Sequence, residues 1–182
     1  MRAPLAKLSA TLAASLVLTA CGSSDPDTDG DGTISMEEAQ ASMEASGAVK
    51  PQPGQYRASV ELVDFQVPGA PPNAKDMMQG MFQRSFEYCL TPEDAENGFE
   101  EMARSSQDGD CSFESFEANG NDIDAVMVCS GTGMGNMRVT LDGSGSETSS
   151  VMTMSMQGNM GGQGEGSMTM RTRHERIGDC PA

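Results

Sequence analysis

The sequence predicts an α+β fold: a curved antiparallel β-meander of six to seven strands, open or partly closed into a barrel, with one packed helix. Three observations carry this. Apolar and polar residues alternate in short runs: Met137, Val139 and Leu141 with Arg138, Thr140 and Asp142, then Met152, Met154 and Met156 with Thr153 and Ser155, then Met168 and Met170 with Thr169 and Arg171. A period of two marks a strand with one face buried and one wet. Turn-forming clusters separate these runs at Asn119-Gly120, Gly131 to Gly135, Gly143 to Gly145 and Gly158 to Gly166. The third is a helix start at Thr91-Pro92-Glu93-Asp94. There Thr91 can cap, Pro92 suits the first turn, and the acids favour the positive end of the dipole.

Residues 1–20 have the pattern of a secretory leader. Arg2 and Lys7 precede an apolar run from Leu8 to Ala20, too short to stay in a bilayer as a spanning helix. The run ends Leu18-Thr19-Ala20-Cys21, which resembles the lipobox of bacterial lipoproteins. That resemblance implies cleavage before Cys21 and acylation of its thiol and amine, hence a membrane partner held through lipid. Gly22 after the cysteine resembles the default sorted to the outer membrane. The expected location is the cell envelope, on the outer membrane facing the periplasm. Residues 21–26 are then a short tether.

Residues 27–47 follow as a half EF-hand. Asp27, Asp29 and Asp31 occupy loop positions 1, 3 and 5, Gly32 the sharp turn at 6, and Thr33 offers its carbonyl at 7. Ile34 is the apolar plug, Ser35 stands at position 9 and Glu38 closes position 12. All twelve residues resemble a calcium-binding EF-hand loop, in which a hard cation collects six to eight oxygens from a short backbone. The resemblance implies Ca²⁺ held by Asp27, Asp29, Asp31, Thr33 and Glu38. The tether cannot supply an incoming helix. Met36 to Ser46 supplies the outgoing one, with Met36, Ala39 and Met43 on one side and Gly47 as its stop. Unpaired hands bind weakly, but extracellular calcium modules work at roughly 10⁻⁴–10⁻³ M.

Residues 48–54, with two prolines and a glycine, are expected to link this segment to a β domain over residues 55–182. Gln55 to Val67 predicts a long strand. Its apolar residues change face after Leu62, which predicts a bulge there. Pro68 to Asn73 is a proline-rich loop, Lys75 to Phe82 a short helix or ordered flap, and Gln83 to Leu90 a second strand with Phe86 and Tyr88 together. The helix from Thr91 is expected to run to about Arg104. Polar Ser105 to Asp110 then returns the chain to the meander.

With Cys21 acylated, Cys89, Cys111, Cys129 and Cys180 remain, an even number in an exported chain, which predicts two disulfides. A three-residue hairpin loop at Asn119-Gly120-Asn121 sets Cys111 opposite Cys129 and leaves Cys89 to Cys180. Zinc would need closer spacing.

From about Lys50 onward the chain resembles the bacterial exported family known as domain of unknown function 3617. The resemblance rests on Pro53-Gly54-Gln55-Tyr56, Cys89-Leu90-Thr91-Pro92-Glu93-Asp94, the pair Cys111 and Cys129, Met168-Thr169-Met170, and Arg176-Ile177-Gly178-Asp179-Cys180. It implies no activity and transfers no catalytic residue. The calcium loop lies outside it.

The net charge of −16 repels nucleic acid and anionic head groups and attracts cations. No nucleophile–base pair, nucleotide loop or tuned carboxylate pair stands out, so no enzyme is expected. His174 is the single histidine and predicts a partly exposed edge residue. Met152, Met154, Met156, Met168 and Met170 share one face, with Met154 facing Met170 and Met156 facing Met168 around a hairpin centred near Gly162. Core filling is the ordinary use of such a face. Cu(I) coordination by thioethers and a cavity for an apolar small molecule are the alternatives. The leading expectation is a calcium-binding, non-enzymatic lipoprotein in which the ion orders the segment between anchor and β domain.

Overall fold

A computed structural model describes residues 25–96, 110–130, 136–159 and 164–181. Helix α1 (Met36–Ala45) follows the acidic loop, and then come β1 (Gly54–Gln66), α2 (Ala74–Phe82), β2 (Arg84–Leu90), β3 (Asp110–Asn119), β4 (Asp122–Ser130), β5 (Met137–Gly145), β6 (Ser149–Asn159) and β7 (Glu165–Gly178). The strands form one sheet in the order β2-β1-β7-β6-β5-β4-β3, and every pairing is antiparallel. Strands β3 to β7 are the expected meander. The first strand then pairs with the last, so β2 and β3, adjacent in sequence, become the two edges. The sheet is open, not a closed barrel.

Register determines what each face carries, because opposed residues in an antiparallel pair point the same way. One face collects Leu62, Met170, Met154, Leu141 and Ala125, which oppose one another in turn from β1 to β4. The other collects Arg57, Glu175, Arg171 and Thr153. The predicted facings Met154–Met170 and Met156–Met168 are observed. So is the bulge in β1, where the register against β7 shifts between Leu62 and Asp64.

Two turn expectations are corrected. The β3–β4 loop is two residues, Gly120-Asn121, with Asn119 paired to Asp122. Gly120 has φ +59° and no other residue type in the described chain has positive φ, which matches a hairpin turn needing a left-handed residue first. The cysteines nevertheless meet, because a bulge between Phe113 and Ser115 restores the lost residue and sets Cys111 against Cys129. Gly143 to Gly145 is strand, not turn, and the chain reverses over Ser146 to Ser149, whose backbone closes at 2.7 Å. Gly143 is paired to Met152, whose side chain lies across it. The glycine there makes room for a thioether. The turn expected at Gly131 to Gly135 lies outside the described residues, as does the helix expected from Thr91 beyond residue 96. Its start is present: Asp94 N donates to Thr91 Oγ1 (3.1 Å) and Thr91 Oγ1 donates to Asp94 Oδ2 (2.7 Å).

A cluster of Ile34, Ala39, Phe113, Phe116 and Ala125 forms the best-sealed core, with Met36, Met43, Met127 and Leu141 against it. Helix α1 lies on β3 through its predicted face, with Ala39 fully buried. Phe113 and Phe116 meet edge to face at 5.2 Å. Tyr56, Ala58, Leu62 and Val139 are also buried. The acidic loop and its helix therefore share a core with the sheet. They do not hang from it through a free linker.

Candidate metal centre

The acidic loop is built from its own side chains. Asp27 accepts from Gly30 N through Oδ1 (2.8 Å) and from Gly32 N through Oδ2 (3.0 Å). Asp29 Oδ1 accepts from Asp31 N (3.1 Å). Asp31 Oδ1 accepts from both Thr33 N (2.8 Å) and Thr33 Oγ1 (2.7 Å). Such side-chain acceptors replace ladder bonds in a tight turn. Gly32 makes the sharp turn with φ +87°, a conformation that a Cβ would strain.

Glu38 spans the loop. One carboxylate oxygen accepts from Thr28 N and Oγ1 at 2.8 and 2.7 Å, and the other accepts from Ser35 N and Oγ at 2.9 and 3.0 Å. Ser35 in return accepts from Glu38 N, completing a capping box at the start of α1. Bonds from the Ser35 and Thr28 amides and hydroxyls favour the charged form and lower the Glu38 carboxyl from 4.5 to about 2. The group is a carboxylate at any physiological pH.

Of the five predicted ligands, the structure brings Asp27, Asp29 and Glu38 together, each with a carboxylate oxygen within 4.8 Å of the others. Asp31 is turned toward Thr33. The loop is fixed at its far side as well. Ile34 N donates to Phe113 O and Phe113 N to Ile34 O, both at 2.9 Å, so the plug residue forms an antiparallel bridge with edge strand β3. The acidic loop is thereby held against the sheet. Oxygen donors at one end of a pinned, glycine-turned loop suit a hard divalent cation, so the residues fit the ion that the motif implies.

The remaining predicted site residues fall elsewhere. Cys89–Cys180 and Cys111–Cys129 are bonded as expected. Cys21 and the expected leader, residues 1–20, lie outside the described residues. Met152, Met154, Met156, Met168 and Met170 are all half-buried, neither sealed nor fully open. His174 is not on an edge. Strand β7 runs between β1 and β6, and the His174 ring is hydrogen-bonded through Nδ1 to the Tyr88 hydroxyl (2.9 Å). The expectation failed because the last strand in sequence is a central strand in space.

At that corner the separate sequence motifs meet. Arg176 Nε donates to Pro53 O (3.0 Å) and its guanidinium bonds Asp179 (2.6 Å). The Arg176 side chain lies so close over Gly54 that a Cβ there would meet Nε at 2.5 Å. Cys89 is tied to Cys180 beside them. A family model described as "Protein of unknown function (DUF3617)" matches residues 51–180. The chain belongs to this family. No curated protein and no solved structure matches it. The DUF3617 match begins after α1, so the acidic loop and α1 are additions to the family region that nevertheless bury Ile34 and Ala39 in its core.

Sequence reasoning missed the grouping of Tyr56, Tyr88 and His174. Tyr56 opposes Tyr88 across β1–β2, while Ala58 opposes His174 across β1–β7. Only the Cys89–Cys180 pairing hinted that the end of the chain returns to its first strands.

Proposed function

We propose that this DUF3617 protein is a non-enzymatic calcium-binding lipoprotein of the cell envelope, anchored through Cys21, in which the ion fixes the segment between anchor and β domain. The observation that carries this reading is the convergence of Asp27, Asp29 and Glu38 on one side of a loop pinned to β3 by Ile34. Asp31 and the Thr33 carbonyl complete the donor set that the motif implies. Bound calcium supplies charge neutralisation for these clustered carboxylates.

What this chain contributes is position. The capping box places Glu38, the Ile34–Phe113 bridge places the loop against the sheet, and α1 transmits both to the core. A tether entering at Asp25 and Pro26 would then meet the domain at one defined point. The direct test is calorimetric titration of calcium into the mature chain, residues 21–182 with Cys21→Ser. Saturable binding in the range of roughly 10⁻⁴–10⁻³ M is expected, abolished by Asp27→Ala. No heat at millimolar calcium, or an unchanged titration in the variant, would defeat the reading.

A further inference from the structure

Between the end of α1 and the start of β1 the chain forms a strap over one end of the sheet. At one side Ser46 Oγ donates to Gly120 O (3.1 Å), Gly120 N donates to Ser46 O (3.2 Å) and Val49 N donates to Asn121 Oδ1 (2.7 Å). At the other, Gln52 donates to Glu147 through its amide (2.7 Å) and its side chain (2.9 Å), and the Tyr56 hydroxyl bonds the carbonyls of Gln52 (2.8 Å) and Glu147 (3.0 Å). The stretch expected to be a linker is therefore pinned at both ends.

Beneath it lies a cavity of about 280 Å³ whose walls include Met43, Val49 and Pro51 on one side and Tyr56, Tyr88 and His174 on the other. The rings are ordered. Tyr56 and Tyr88 stack at 5.8 Å with 24° between planes, and Tyr88 meets His174 edge-on at 5.8 Å. Tyr88 occupies Nδ1 of His174, and among the described residues no hydrogen-bond partner faces Nε2. A mainly apolar hollow with a few polar side chains on its walls (Asn121, Ser146, Ser149, Ser150 and His174) is the ordinary form of a small-molecule site.

Its size and charge narrow the ligand. Small-molecule pockets span about 300–1,000 Å³, so this one takes one or two rings. Burial lowers the His174 pKa from its ordinary value, which favours the neutral ring. None of the residues lining the pocket is an acid, a lysine or an arginine, so neither a cation nor an anion finds a counter-charge there. We infer that the strap-covered pocket binds an uncharged planar molecule of one or two rings, carrying one hydrogen-bonding group for Nε2 of His174. This site is separate from both the acidic loop and the methionine strip.

The chain has no tryptophan, two tyrosines and one histidine, and those three residues all line the pocket. Their ring resonances report on it directly. The mature chain in excess chelator, which removes the loop from the question, is titrated by NMR with indole and benzamide, and with benzoate as the charged counterpart. Saturable shifts of the tyrosine and His174 rings are expected for the two neutral probes, and at least tenfold weaker binding for benzoate. His174→Phe keeps a ring but removes Nε2, and should weaken indole binding about tenfold, the worth of one hydrogen bond. Val49→Trp, on the exposed strap, should abolish the shifts by filling the hollow. The absence of saturable shifts with both neutral probes, or an unchanged titration in Val49→Trp, overturns the inference.

Discussion

The two ends of the sheet are held by different physics. At the β3 end the edge is bridged by Ile34 and covered by α1, and Ile34, Ala39, Phe113, Phe116 and Ala125 are nearly sealed from water. At the β2 end the edge strand exposes Phe86, which keeps 53% of its surface open, and the structure is secured by the Cys89–Cys180 bond and a set of stacked rings. Apolar burial, with the local Cys111–Cys129 bond, holds one end; the long-range Cys89–Cys180 closure and half-open stacked rings hold the other. The difference follows from what each end is given. The β3 end receives a helix from outside the family region, with alanine and methionine on the inner face. Among the described residues no helix covers the opposite edge in the same way, and its Phe86 stays open although Tyr88 lies beside it.

Breaking each end in turn should show this. The largest effect is expected from Cys89→Ser/Cys180→Ser, because that bond closes a 91-residue separation whereas Cys111–Cys129 closes 18. In the chain-entropy model the loss is up to about 5 kcal/mol for the long loop and about 3 kcal/mol for the short one. Denaturant unfolding of the two double variants measures the difference, and the order should not reverse.

A smaller contrast separates the aromatic residues. Phe116→Ala removes a buried ring and should cost about 3 kcal/mol, with α1 loosened as well. Phe86→Ala, on the open edge, should stay within about 0.5 kcal/mol. Equal losses would mean that the β2 edge is covered in solution.

The smallest effect is on pH. The sealed core of the β3 end is wholly apolar, whereas the β2 end contains His174, Tyr56 and Tyr88. Burial lowers His174 below 6.5, so its contribution is present above that pH and is lost as pH falls toward the folded-state value. Burial raises both tyrosines above 10.0, so theirs is present below that pH and is lost as pH rises through the folded values. Stability should therefore decline on both sides of neutrality through the β2 end, and His174→Gln should remove the decline that begins as pH falls below 6.5. Alkaline difference spectra should show both tyrosines titrating late.

Much of this was legible from local pattern. The alternation of methionines determined which faces of β6 and β7 meet, and the change of face after Leu62 announced the bulge in β1. Met36, Ala39 and Met43 gave away the buried side of α1 before its target was known. The acidic loop was legible because the spacing of its carboxylates is written into consecutive residues. The carboxylates of Asp27, Asp29 and Glu38 do converge, while Asp31 bonds its neighbour Thr33.

The Cys111–Cys129 pairing was reached through a loop one residue too long, and a bulge at Glu114 compensated for the error. Gly143 looked like a turn because glycine's two uses, bending the chain and yielding space, are indistinguishable until its neighbour Met152 is placed. By itself the sequence determined periodicity, turn chemistry and donor spacing, all set by interactions within a few residues. Only the tertiary structure decided that β7 lies beside β1, that Ile34 bridges Phe113, and that the strap closes over Tyr56, Tyr88 and His174. Those contacts join residues tens of positions apart, and their free energy comes from burying surfaces together, which no local window of residues records.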